Sequence, residues 1–178
     1  MSKHIIIAGC YRSGTTALFN IVRLILKYSD VEYDAYFWNG KTESNKEYQL
    51  IKTHTFNEGL ADKAYKVFVA HRKYDDVYSS MLALSKTKVD NKFSNAGNID
   101  NLDYAWSHAE RWVKSADYIQ NFIDLNSDIR ILIHTISNIL NMPNNLSEKL
   151  ILEFKGLRAP EKGLDEITLL TETHKKQQ

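Results

Sequence analysis

The most constraining feature of this chain is the passage from an apolar, β-branched run, Ile5-Ile6-Ile7-Ala8, through Gly9-Cys10-Tyr11-Arg12-Ser13-Gly14-Thr15-Thr16, into a segment where Leu18, Ile21, Val22 and Ile25 recur at the helical period. A buried strand that runs through a glycine-bounded turn into a helix is the setting a phosphate-cradling loop requires. Glycines at both ends permit a tight turn, successive backbone N–H groups can converge on one oxyanion, and the helix N-terminus adds partial positive charge. The same residues would also serve as a plain strand-to-helix turn with a Ser or Thr cap. An ATP-hydrolysing loop carries Lys after its second glycine; here Thr15 stands there, and the nearest cation is Arg12, inside the loop.

Further apolar runs at Leu50-Ile51, Val67–Ala70 and Ile129–Ile133 read as buried strands. Val77, Met81 and Leu84 continue the helical period, and Leu102, Ala105, Trp106, Ala109, Val113, Ala116 and Ile123 predict one long amphipathic helix from Asp100 onward. Trp106 and Trp112 on it read as core, or else as lining of a pocket. Alternating strands and helices imply an α/β fold with three α/β/α layers: a parallel sheet flanked by helices, with ligands at the carboxyl ends of its strands. The 178 residues form one domain, 1–178, with Thr171–Gln178 expected to fray. Lys86–Asn98 and Lys155–Gly163 read as loops.

Charge and cysteine content narrow the function classes. Twenty-three basic against 22 acidic side chains leave a net charge of +1, so no global field draws the chain to nucleic acid or to an anionic membrane, and an anion site must be local. The apolar runs are too short or too interrupted for a signal peptide or a membrane span. Cys10 is the sole cysteine, which excludes an internal disulfide and fits a reducing, cytoplasmic setting. Within the loop it reads either as small-residue packing or as a thiol with lowered pKa. His71, His108, His134 and His174 have no metal-ligand spacing, and no bound metal is expected.

Three segments together resemble the sulfotransferases. Tyr11-Arg12-Ser13-Gly14-Thr15-Thr16 is similar to their 5′-phosphosulfate loop, Lys52-Thr53-His54 to the Lys-Thr-His of the cytosolic enzymes, and Arg72, Asp76-Val77 and Ser80 to their 3′-phosphate element. The resemblance covers residues from about 5 to 85. It implies a P-loop NTPase-like sulfotransferase fold and the transfer of a sulfuryl group from 3′-phosphoadenylyl sulfate (PAPS) to a hydroxyl or amine, leaving PAP (adenosine 3′,5′-bisphosphate) as product. The roles it implies are His54 as general base, with Lys52 and Arg12 stabilising charge. Arg12, Ser13, Gly14, Thr15, Thr16, Arg72 and Ser80 would hold the nucleotide. Ala17 departs from the family's Trp, which stacks on adenine, and Tyr74 from a common Pro.

Each residue also has a plainer reading. His54 is a hydrogen-bonded strand-end residue, Lys52 a solvated one, Arg72 a surface partner of Asp75 or Asp76, and Ser79 a rival to Ser80. The competing functions are a P-loop kinase or nucleotidase using ATP and magnesium, and a noncatalytic nucleotide-binding relative. The acceptor, a small molecule or a glycan- or lipid-linked group, would meet the variable loops Asp34–Lys46 and Lys86–Asn98.

Overall fold

The computed structural model describes residues 2–41, 44–86, 99–121, 129–144 and 148–157. Most of the expected loop Lys86–Asn98, the end of Lys155–Gly163 and the tail Thr171–Gln178 lie outside the described residues.

Five parallel strands form one sheet in the order β2-β3-β1-β4-β5. They are β1 (Lys3–Gly9), β2 (Tyr33–Phe37), β3 (Tyr48–Thr53), β4 (Ala64–His71) and β5 (Tyr118–Asn121). The helices are α1 (Thr15–Tyr28), α2 (Glu58–Ala61), α3 (Tyr74–Lys86), α4 (Leu102–Val113), α5 (Ile129–Leu140) and α6 (Glu148–Leu157). Both faces of the sheet are covered, which is why β1 at Ile5–Ala8 and β4 at Val67–Ala70 read as continuous apolar runs instead of alternating ones. On one face Ile5, Ile7, Leu50 and Phe68 pack with α1, α5 and α6; on the other Ile6, Ala8, Ile51, Val67 and Val69 pack with Leu60 of α2 and Trp112 of α4. The expected α/β fold with a parallel sheet between helical layers is the fold observed.

Three local expectations are corrected. Ile129–Ile133 is the start of helix α5, not a strand. Its apolar residues continue into Ile136 and Leu140, so the buried set follows the helical period, while Ile131 is 67% exposed. The long helix from Asp100 stops at Val113. Asp117 ends that path: its N–H donates to Val67 O (2.9 Å) and its carboxylate accepts from Val67 N (2.7 Å) and Lys66 Nζ (3.0 Å), which turns the chain into β5. The candidate loop Asp34–Lys46 begins with β2, an edge strand whose pairing is extended by Trp38 N donating to Lys52 O (2.9 Å).

The order of the strands positions the site. β1 sits between β3 and β4, with Ala8 opposite Thr53 and Gly9 opposite Ala70. The carboxyl ends of these three strands therefore lie side by side at the point where strand order switches, where ligands bind in open α/β sheets.

Candidate active site

The loop that leaves β1 depends on backbone that side chains oppose. Gly9 has φ +146°, Arg12 φ 61° and Gly14 φ 96°. A Cβ on Gly9 would lie 2.4 Å from Ala70 O and 2.9 Å from Ser13 Oγ, so only glycine allows β1 to approach β4 here. Ser13 is buried and closes the turn, its N–H and Oγ both donating to Cys10 O at 3.3 and 2.7 Å. Gly14 forms the N-cap of α1 in a left-handed conformation with no side-chain cap, and the first turn carries no acidic residue. The simple Ser/Thr-capped turn is therefore not what forms. A glycine-capped helix N-terminus faces out of the loop, with Thr15 buried below it and the Thr16 carbonyl accepting from Asn20 Nδ2 (2.9 Å).

Three segments distant in sequence meet at this loop. Arg12 Nε donates to Ser80 Oγ (3.2 Å), and Arg72 Nη1 donates to Arg12 O (3.2 Å). Ser80, not Ser79, is thus the α3 serine that reaches the loop. Arg72 leaves the end of β4 toward the same place. Tyr74, where the resemblance expects Pro, holds this turn by other means: its hydroxyl donates to Asp103 Oδ1 (2.6 Å) and its ring meets Trp106 edge-on at 5.3 Å.

Lys52 is the largest departure from ordinary surface chemistry. It is 1% exposed and donates from Nζ to Thr16 Oγ1 (2.6 Å). Lysine is rarely this buried unless partnered, so its reading as a solvated strand residue is corrected. The β2–β3 register sets Phe37 beside it, and Nζ lies 4.8 Å from that ring's centroid, within cation–π range.

His54 follows β3 directly and is 9% exposed. Its Nδ1 lies 2.7 Å from Gly9 O. A carbonyl only accepts, so Nδ1 carries the hydrogen, and in the neutral ring the lone pair is then on Nε2, the tautomer a proton acceptor needs. The rings of Tyr11 and Phe37 stand against the imidazole at 4.5 and 5.8 Å. The sequence offers Tyr11 only as part of the loop motif and Phe37 only within the candidate acceptor loop; their place against His54 comes from the loop's backbone and the register of an edge strand, and neither leaves a periodic signal.

Other residues fall outside the cluster. Burial pushes the Cys10 thiol up to about 11, so at neutral pH it is a protonated packing residue against Val77, Met81 and Leu102, and the lowered-pKa reading is corrected. Ala17 packs on the apolar cluster beneath α1. Trp112 is core, fully buried in the second face; Trp106 packs partly buried beside Tyr74. Among the described residues no group of three or more His, Cys, Asp or Glu side chains is arranged to hold a metal ion, and no helix is long and apolar enough to cross a membrane.

No protein-family model and no curated protein sequence matches the chain. Among solved structures, it is similar to retinol dehydratase in complex with androsterone and inactive cofactor PAP, with a TM-score of 0.55 and 16% sequence identity. The match covers 86% of this chain and 63% of that one, so the chain spans less than two thirds of the structure it resembles. At that identity the likeness is one of architecture alone: the five-stranded parallel sheet between helical layers is an α/β fold shared with that structure.

Proposed function

We propose that this chain is a sulfotransferase that binds PAPS at the carboxyl ends of β1, β3 and β4 and passes its sulfuryl group to a hydroxyl or amine. The observation that carries this reading is the convergence of Arg12, Arg72 and Ser80 from three separate segments on one glycine-capped helix N-terminus, with the buried Lys52 on the loop's far side. Local cations and helix amides are the chemistry that an anionic 5′-phosphosulfate and a 3′-phosphate require, in a chain whose net charge is only +1.

In this account the backbone amides of Gly14 to Thr16 and the Arg12 guanidinium hold the phosphosulfate, Ser13 shapes the loop around it through its bonds to Cys10 O, and Arg72 and Ser80 hold the 3′-phosphate. The acceptor oxygen or nitrogen attacks sulfur, the bond between sulfur and the bridging phosphate oxygen breaks, and the electron pair leaves with PAP. The acceptor's proton passes to His54 Nε2, the nitrogen that the Gly9 contact leaves basic. Lys52 stabilises the charge that grows on the leaving phosphate and the transferring group. No step needs a metal. The retinol dehydratase structure holds PAP and androsterone, and a donor of the same type with a small-molecule acceptor is proposed here. With a single, buried, protonated cysteine, the proposed location is the cytoplasm.

The division of labour between the phosphate sites is tested by Arg72→Ala. Loss of a charge-assisted contact should weaken PAP by about tenfold to a hundredfold. Adenosine 5′-phosphosulfate, which lacks the 3′-phosphate, should bind this variant nearly as it binds the parent. Equal weakening of both ligands in calorimetric titration would remove Arg72 from the 3′-phosphate role.

A further inference from the structure

The β-ladder that fixes β3 ends at Thr53, so the placement of His54 depends on what holds the residues after it. The peptide group between Thr55 and Phe56 is held at both its polar ends by one helix. Phe56 N donates to His108 Nδ1 (2.9 Å), and Trp112 Nε1 donates to Thr55 O (3.2 Å). His108 and Trp112 are one helical turn apart on α4, so they present to the same strip of chain. The Phe56 ring is held as well, with Trp112 at 4.8 Å and the Arg111 guanidinium at 4.2 Å, and Arg111 is tied to Glu58 on α2 (2.8 Å). Tyr104 closes the other side of His108, its ring edge-on at 4.3 Å.

We propose that His108 is a positioning residue for the sulfuryl-transfer reaction: by accepting from Phe56 N–H it fixes the turn after β3 and so holds His54 against Gly9. The inference rests on the function proposed above for His54. His108 does not touch that imidazole; it acts through two peptides. Accepting at Nδ1 requires the neutral ring with its hydrogen on Nε2. Burial and the neighbouring Arg111 both hold the His108 pKa below the ordinary histidine value, which keeps that form in place. A helix that otherwise packs on the sheet thereby becomes the support of the proposed base. Such support matters because small displacements of a reacting group cost up to about a hundredfold in rate.

The test compares His108→Leu, which removes the acceptor, with His108→Asn, whose side-chain oxygen stands where Nδ1 stood. His108→Leu is expected to lower kcat by about tenfold to a hundredfold with PAP affinity and the donor KM unchanged, and His108→Asn to recover most of the loss. A long-range proton–nitrogen NMR spectrum of the imidazoles provides a readout that does not require turnover. His54 should show a single Nδ1–H tautomer in the parent and in His108→Asn, and a mixture of tautomers in His108→Leu. A parent protein that transfers no sulfuryl group would refute the proposed function, and the NMR comparison would still decide the positioning role. Unchanged His54 signals in His108→Leu, or an Asn variant as impaired as the Leu variant, would overturn it.

Discussion

Replacing His54 with Ala should slow sulfuryl transfer by about a hundredfold to ten-thousandfold, the usual worth of a positioned general base, while PAP still binds. The Gly9 contact complicates that variant. Ala leaves the Gly9 carbonyl without its donor, and a buried acceptor stripped of its partner costs about 1 to 3 kcal/mol. His54→Asn separates the two effects. Its amide nitrogen can take the Nδ1 position and donate to Gly9 O, but it offers no basic nitrogen where Nε2 stood. Both variants should therefore lose transfer, and His54→Asn should keep the parent's stability and PAP affinity. Parallel loss of binding and transfer in His54→Asn would make this histidine a structural residue of the loop.

Gly9→Ala should be among the most damaging single changes in the chain, at about 3 to 4 kcal/mol of folding stability. Two separate costs meet there. The backbone angle of +146° is one that L side chains rarely adopt, and the new methyl carbon would overlap a main-chain oxygen, Ala70 O at 2.4 Å, which has no freedom to move without parting β4 from β1. Gly40→Ala isolates the first cost: its φ is +90° and nothing stands within 4 Å of the added carbon, so about 1 to 2 kcal/mol is expected. Urea unfolding of the two variants beside the parent measures the difference. Similar midpoints for both would show that β1 and β4 are not locked at this contact.

What could be read from the sequence follows from how each element is stabilised. β1, β4, α1 and α3 bury one-dimensional patterns, either apolar runs or the helical period, and they stand where those patterns put them. β2 is half-buried along its whole length, with Asp34 as its second residue, and is fixed by pairing with β3, a long-range fact no local pattern carries. α5 opens on a β-branched run that is also helical in period, and packing against α1 decides between the two. The same division holds at the site. Arg12, Lys52, His54, Arg72 and Ser80 stood out because their spacing resembles a family. The Arg12–Ser80 contact, the burial of Lys52 beside Phe37 and the clamp of α4 on the His54 turn are products of topology. His108, scattered among other histidines in the sequence, acquires a partner only because α4 crosses the end of β3.

The central claim is that the loop after β1 is built for a phosphosulfate nucleotide and not for a triphosphate. Calorimetric titration of the purified protein with PAP, set against ATP plus magnesium, tests it most directly. The account predicts saturable binding of PAP and a clear preference over ATP with magnesium. Preference for ATP would contradict it in favour of a P-loop kinase or nucleotidase, and no binding of either would contradict it by removing the nucleotide site altogether.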